Sequence, residues 1–373
     1  MQRCLTLPFV LALMVPSPAS GQSQVYDEFD ANDLNSEFWC PCQIMTISSP
    51  IIFPVDPNQP GDRIARIVVD EVSLGGNVCR RGPPEFECQP PGLATFVIFD
   101  EDEENEAASG TREPLGPTFI RPPDIAAFRA PLKNPYCTEV VLRRAMDTGE
   151  EGLCIQRQEL RLQKRYTHNA NEPHLYSFRF RMPEEIEDRA TSIRWVTAQW
   201  KQEPVSESYR RQFGRDWAPS PFLAQRFDDG VLHVTVQDEH CRCMVASAPY
   251  PDGSVLDWND GRAQYCASTK PREEGQACTP DLHVQYGPNP ILSSSLGHWV
   301  EMRYRVEASR SEEAIIEVYE ANRLIVRVTG KIGYEPEPGK QSVAKFKIGH
   351  YRDYMPFVHT IDIDWLRVAP VSD

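Results

Sequence analysis

The sequence predicts an all-β sandwich decorated by disulfide-tied loop insertions. Three observations carry this: period-two alternation of apolar residues recurs along the chain, helical periodicity is scarce, and two cysteine-bearing, turn-rich stretches interrupt the strand-rich segments.

The chain opens with Arg3, an apolar run from Leu5 to Val15, and then Ala19 and Gly21 at the spacing a signal peptidase reads. Residues 1–21 are therefore expected to be a signal peptide, with a mature chain starting near Gln22 and a secreted or periplasmic destination. The run is shorter than the roughly 20 apolar residues of a spanning helix, so no membrane partner is expected. Tyr26 to Asp30, followed by Leu34 and Phe38-Trp39, reads as an edge strand.

From about Cys79 to Pro135 the chain is rich in proline and carries an acidic run, Asp100 to Glu106, which fits long surface loops. Calcium in that run is conceivable, but the EF-hand pattern is missing, and nothing else in the sequence calls for a metal or cofactor. Strands are expected at Leu175–Met182, Val231–Val236, Trp299–Val306 and Thr360–Val368, with Ala314–Glu320 and Leu324–Thr329 closing a hairpin. A single helical turn is expected near Glu184 to Asp188. A second insertion runs from about 240 to 290, with Asp252-Gly and Asp260-Gly as turn pairs. Residues 22–373 thus read as one domain, insertions near 79–154 and 240–290 included, expected to act as a monomer.

Of the 11 cysteines, Cys4 falls in the leader, leaving an even set in an exported chain. That points to disulfides. Zinc on Cys40-Pro-Cys42 and Cys241-Arg-Cys243 is the weaker alternative, because the compartment is oxidising and the spacing unusual. Nearness in sequence suggests Cys79 with Cys88, Cys137 with Cys154 and Cys266 with Cys278, the two CxC pairs bridging each other.

The formal net charge of -15 argues against nucleic acid, whose phosphates need a basic face. Three segments nevertheless gather cations and amides. Alternation puts Arg157, Glu159 and Arg161 on one face of their strand, Trp195, Thr197, Gln199 and Lys201 on one face of another, and Lys345, Lys347, Gly349 and Tyr351 on one face of a third. His350 falls opposite Tyr351 and reads as structural.

These segments, with Arg181-Met-Pro183, Gly297-His-Trp-Val-Glu301 and the order in which they occur from about Gln156 to Val368, resemble the polysaccharide lyases of the heparinase I, glucuronan lyase and alginate lyase type. The resemblance implies a concanavalin A-like β-jelly-roll whose concave sheet binds an acidic, uronate-containing polysaccharide and cleaves it by β-elimination. It assigns the carboxylate contacts to Arg157 and Gln199 and proton transfer to Tyr351, with Lys347 nearby. Arg161, Glu159, Trp195 and Lys345 would line the same face. This chain departs from the family at Lys201, where a histidine usually follows Gln-aromatic, so Lys201 becomes an alternative base.

The residue types suit the reaction. Removing the C5 proton of a uronate builds negative charge on its carboxylate, and one fixed donor aimed there is worth about 3–4 kcal/mol. A phenol, whose ordinary pKa is about 10, serves as a base at neutral pH only beside cations. Two other readings stay open. A glycoside hydrolase would need two carboxylates about 5–10 Å apart, and the only alternating acids are Asp362 and Asp364. A lyase-derived protein that binds without cutting is the other.

Overall fold

A computed structural model describes residues 24–31, 34–35, 37–43, 51–57, 59–69, 155–184, 186, 195–205, 220–227, 230–250, 253–255, 266–269, 276–310, 313–353 and 358–371. The leader, the first insertion and most of the expected turn near 184–188 lie outside them.

Strands that alternate apolar and polar residues stack their apolar faces in two layers. The strand Val300–Val306 of the first layer buries every second residue, whereas Leu223–Arg226 and His233–Gln237 of the second are buried on both faces. The first half of the chain gives β1 (Val25–Asp27), β2 (Trp39–Gln43), β3 (Ile51–Ile52), β4 (Ala65–Val69), β5 (Ile155–Leu162), β6 (His168–Asn169), β7 (His174–Arg181) and β8 (Trp195–Glu203). Then come β9 (Leu223–Arg226), β10 (His233–Gln237), β11 (Cys241–Ser247), β12 (Cys266–Ser268) and β13 (Leu282–Tyr286). The last are β14 (Val300–Val306), β15 (Ala314–Glu320), β16 (Arg323–Gly330), β17 (Val343–Asp353) and β18 (His359–Pro370). Sheet I has the order β13-β16-β15-β14-β7-β18-β4-β3, with β1 also on β18. Sheet II has the order β12-β11-β10-β9-β8-β17-β5-β2, with β6 also on β17. Every described pairing between named strands is antiparallel. The expected jelly-roll sandwich is the fold found.

Aromatic rings lock the layers together. Tyr176, Phe178 and Tyr304 of sheet I meet Trp200 and Phe346 of sheet II, with Trp200 4.8 Å from Tyr304 and 5.3 Å edge-on to Tyr176 between ring centroids. Truncating one such ring to alanine costs about 3–5 kcal/mol. The expected hairpin joins β15 to β16 with Glu320 opposite Arg323, and Ala321 takes a φ of 50°, the left-handed backbone that tight hairpins require.

Sheet II is irregular where β9, β8 and β17 run side by side. Between the same two cross-strand rows β9 advances one residue, Arg226 to Gln225, β8 two, Val196 to Ala198, and β17 three, Tyr351 to Ile348. A bulge of one residue changes which face the following side chains occupy. Trp195 and Ala198 both point into the core, three residues apart, while Thr197 is tied to Gln225 through its Oγ1. Gly349, at φ 136°, permits the close approach of β17 to β5: a Cβ there would sit 2.3 Å from the Gln158 carbonyl oxygen.

The described disulfides correct the expected pairing. Cys243 bonds Cys266 and Cys241 bonds Cys278, so Cys266 is not joined to Cys278 and the second CxC pair does not reach back to the first. Antiparallel register explains the choice, because β11 and β12 set Cys243 directly opposite Cys266. Cys40 is also disulfide-bonded. Peptide mapping without reduction should recover Cys243–Cys266 and Cys241–Cys278 linkages; a Cys266–Cys278 peptide would refute this pairing.

At one end of the sandwich His168 of β6 stacks on His174 of β7 at 3.3 Å between centroids, and the Tyr176 hydroxyl lies 2.9 Å from His168 Nε2. Burial first, and the neighbouring His174 second, push His168 down to about 3, and burial lowers His174 as well. In the unfolded chain both titrate near 6.5. Below that pH the unfolded state takes up protons that the folded state refuses, so this pair's stability is fully present above about 6.5 and declines as pH falls toward about 3. Urea midpoints measured from pH 7 to pH 4 should drop less steeply for His168→Gln than for the native chain; parallel curves would refute the link.

Candidate functional site

The outer face of sheet II is where the cation-bearing segments converge. β5 and β17 pair without a break from Lys347 opposite Arg161 to Tyr351 opposite Arg157, so the alternation read from the sequence holds on both strands. On the other side of β17, Lys347 faces Gln199 and Lys345 faces Lys201 across β8. Three rows cross the strands: Arg157–Tyr351–Val196, Arg161–Lys347–Gln199, and Lys345–Lys201.

One carboxylate organises the group. Glu159 accepts a hydrogen bond from Arg157 Nε at 2.7 Å on one oxygen and from Gln199 Nε2 on the other. Arg157, Glu159, Gln199 and Lys347 are each 3% exposed or less. A buried pair of this kind holds geometry, because swinging either partner away would strand a charge out of water. The Arg157 guanidinium lies 5.6 Å from the centre of the Tyr351 ring, so Arg157 is a cation facing that ring. Gln199 spends one amide hydrogen on Glu159 and has a second to offer.

Two expected site residues sit elsewhere. Trp195 is a core residue, not part of the outer face of sheet II. Its Nε1 donates to His350 Nδ1 at 3.1 Å and its ring packs on Phe227 and His359, because the bulge at Thr197 breaks the alternation that would have joined it to Gln199. Lys201 stands on the correct face, but its row is six residues along β17 from Tyr351, about 20 Å of extended strand. It is remote from the phenol. Lys345 in the same row is bonded to Glu203. His350 is structural as expected: buried, its Nε2 donates to the Ile67 carbonyl at 3.2 Å, and burial holds its pKa well below the imidazole range.

Asp362 and Asp364 lie in sheet I. Asp362 accepts from Arg66 at 2.6 Å and Arg181 at 2.7 Å, and Asp364 from Arg179 at 2.7 Å. These acids belong to an ion-pair lattice on the other layer, so the carboxylate pair that a hydrolase would use is not on the sheet II face. Among the described residues no cluster of three His, Cys, Asp or Glu is placed to hold a metal ion. Sequence reading missed β9 altogether, since four residues show too little alternation to announce a strand, and with it Arg226, which stands opposite Val196 of β8.

No curated protein matches the sequence. Among solved structures the chain is similar to alginate lyase A1-II' of polysaccharide lyase family 7, at 14% identity over 58% of this chain and 73% of that one, with a TM-score of 0.32. It is also similar to an endo-β-1,4-glucuronan lyase from the fungus Trichoderma reesei, at 11% identity over 60% and 83% of the two chains and a TM-score of 0.32. An alginate lyase from Klebsiella pneumoniae gives 11%, 58%, 75% and 0.29 in the same terms. The family model described as polysaccharide lyase matches residues 133–366, which takes in every strand of sheet II except β2, and the chain belongs to that family.

Proposed function

We propose that this polysaccharide lyase is exported and cleaves a uronate-containing polymer by β-elimination on the outer face of sheet II. The observation that carries the reading is the joined group Arg157–Glu159–Gln199 beside Tyr351. In this scheme the uronate carboxylate lies against Arg157 and the second N–H of Gln199, which stabilise the negative charge that grows as the C5 proton leaves. Tyr351 takes that proton, the C5 electrons form the C4–C5 double bond as the C4–oxygen bond breaks, and Tyr351 passes the same proton on to the leaving oxygen. Glu159 holds the two donors in place and keeps its own charge off the substrate by spending both oxygens on them. Lys347, in the next row, adds positive charge at the ring's far side.

The face collects Arg157, Arg161, Lys201, Lys345 and Lys347 against Glu159 and Glu203, so its local field is positive although the whole chain is acidic. Incubation with alginate, glucuronan, heparan sulfate, ulvan and pectate should raise ultraviolet absorbance with at least one polymer, from the unsaturated uronate that only elimination leaves. Binding should weaken as salt rises. Salt-sensitive binding with no absorbance change would select the reading in which Lys201, in place of histidine, marks a protein that binds without cutting. Binding of neutral glucan alone would end both.

A further inference from the structure

We propose that Trp195, His350, Arg352 and His359 form a buried positioning network that sets Tyr351 against Gln199, an inference that rests on the lyase reading above. All four are 2% exposed or less, so they act through the phenol and not on the polymer.

The need for such a network comes from the strand pairing. β5 stands opposite β17 without a break from Lys347 to Asp353, so the backbone ladder fixes Tyr351 relative to Arg157. The β8 side is different. Ile348 stands opposite Ala198 and Tyr351 opposite Val196, so Gly349 and His350 share the space of Thr197 and the ladder is interrupted between the phenol and Gln199. In the proposed reaction Gln199 holds the carboxylate and Tyr351 takes the C5 proton of one and the same sugar ring. Any slip between β8 and β17 therefore misplaces the base.

Side chains span that break from the core side. Trp195 lies on β8, the strand of Gln199, and its Nε1 donates to His350 Nδ1 on β17 at 3.1 Å. Arg352, the residue after Tyr351, places its guanidinium 5.3 Å from the centre of the same indole and is hydrogen-bonded to His359 Nδ1 on β18. A guanidinium only donates, so that imidazole nitrogen is the acceptor. His350 Nε2 in turn donates to the Ile67 carbonyl on β4 at 3.2 Å. Both chain neighbours of Tyr351 are thus tied to one β8 side chain and to sheet I. Moving the phenol along or out of its row would break buried polar contacts that no water replaces.

The experiment measures kcat, KM and thermal midpoints on whichever uronate polymer the native protein cleaves, for Trp195→Phe, His350→Leu, His350→Asn and the double variant Trp195→Phe with His350→Leu. Trp195→Phe keeps a ring and loses the N–H, and it should lower kcat about tenfold with KM little changed. His350→Leu should do the same. The double variant should be no slower than either single, because both break one bond. His350→Asn, whose amide oxygen can accept from the indole, should recover part of the loss. Trp200→Phe is the packing control, since this β8 indole packs on Tyr176, Tyr304 and Phe346 instead, and its kcat should stay near native. A native kcat in Trp195→Phe, or an equal fall in Trp200→Phe, overturns the network and leaves the lyase reading intact. A native protein that eliminates from no uronate polymer overturns both. If Trp195→Phe fails to fold, His350→Leu and His350→Asn decide, and equal kcat in those two overturns the network.

Discussion

Replacing Tyr351 with phenylalanine should lower turnover by about 10²-fold or more while leaving the fold intact, the scale expected for removing a general acid or base. The change deletes one hydroxyl from a half-buried ring. The phenyl group can still lie over the Arg157 guanidinium, so the contact seen at 5.6 Å survives and the carboxylate clamp is undisturbed. The loss should therefore appear in kcat with KM little changed, the signature of an interaction made in the transition state. Thermal unfolding of the variant should match the native protein. A folded Tyr351→Phe chain that keeps near-native elimination would take the phenol out of the mechanism.

Glu159→Ala is expected to cost stability as well as activity, about 3–5 kcal/mol, the range for breaking a buried ion pair by removing one partner. Arg157 and Glu159 are 2% and 1% exposed at the side chain and 2.7 Å apart, so the alanine leaves a guanidinium short of its carboxylate in a dry site. The double variant Arg157→Met with Glu159→Leu removes both charges and refills the space, and it should regain much of the lost stability while remaining inactive. Denaturant midpoints and ultraviolet assays on the three proteins separate the two effects. A single variant as stable as the native chain would mean that the pair is not held as described, and an active double variant would exclude Arg157 from the reaction.

Much of this was legible in the sequence, for a physical reason that also marks where reading fails. β5 and β17 keep strict alternation, so Arg157, Glu159, Arg161, Lys347 and Tyr351 could be put on a common face from their spacing alone. β8 breaks alternation at Thr197, and a bulge leaves no mark in the pattern, so Trp195 was assigned to the wrong side. The disulfides failed similarly. Sequence nearness joined Cys266 to Cys278, whereas the pairing follows cross-strand register, a long-range property of β11 and β12. Arg226 was missed because β9 is only four residues long.

The unequal residue counts in β9, β8 and β17 give the outer face of sheet II a taper. Between the row of Tyr351 and the row of Lys347 lie two residues of advance on β10 and β9, three on β8, and four on β17 and β5, so the rows spread from about 7 Å to about 13 Å apart. A polymer crossing the strands therefore meets rows that are closely spaced at β10 and widely spaced at β5. On the proposed reading, unbranched, flat sugars suit the narrow side, while a ring at the wide side has room to leave its chair and to carry a side group. Branches would then be tolerated on one flank of the cleaved bond and refused on the other, which gives the polymer a required direction of entry.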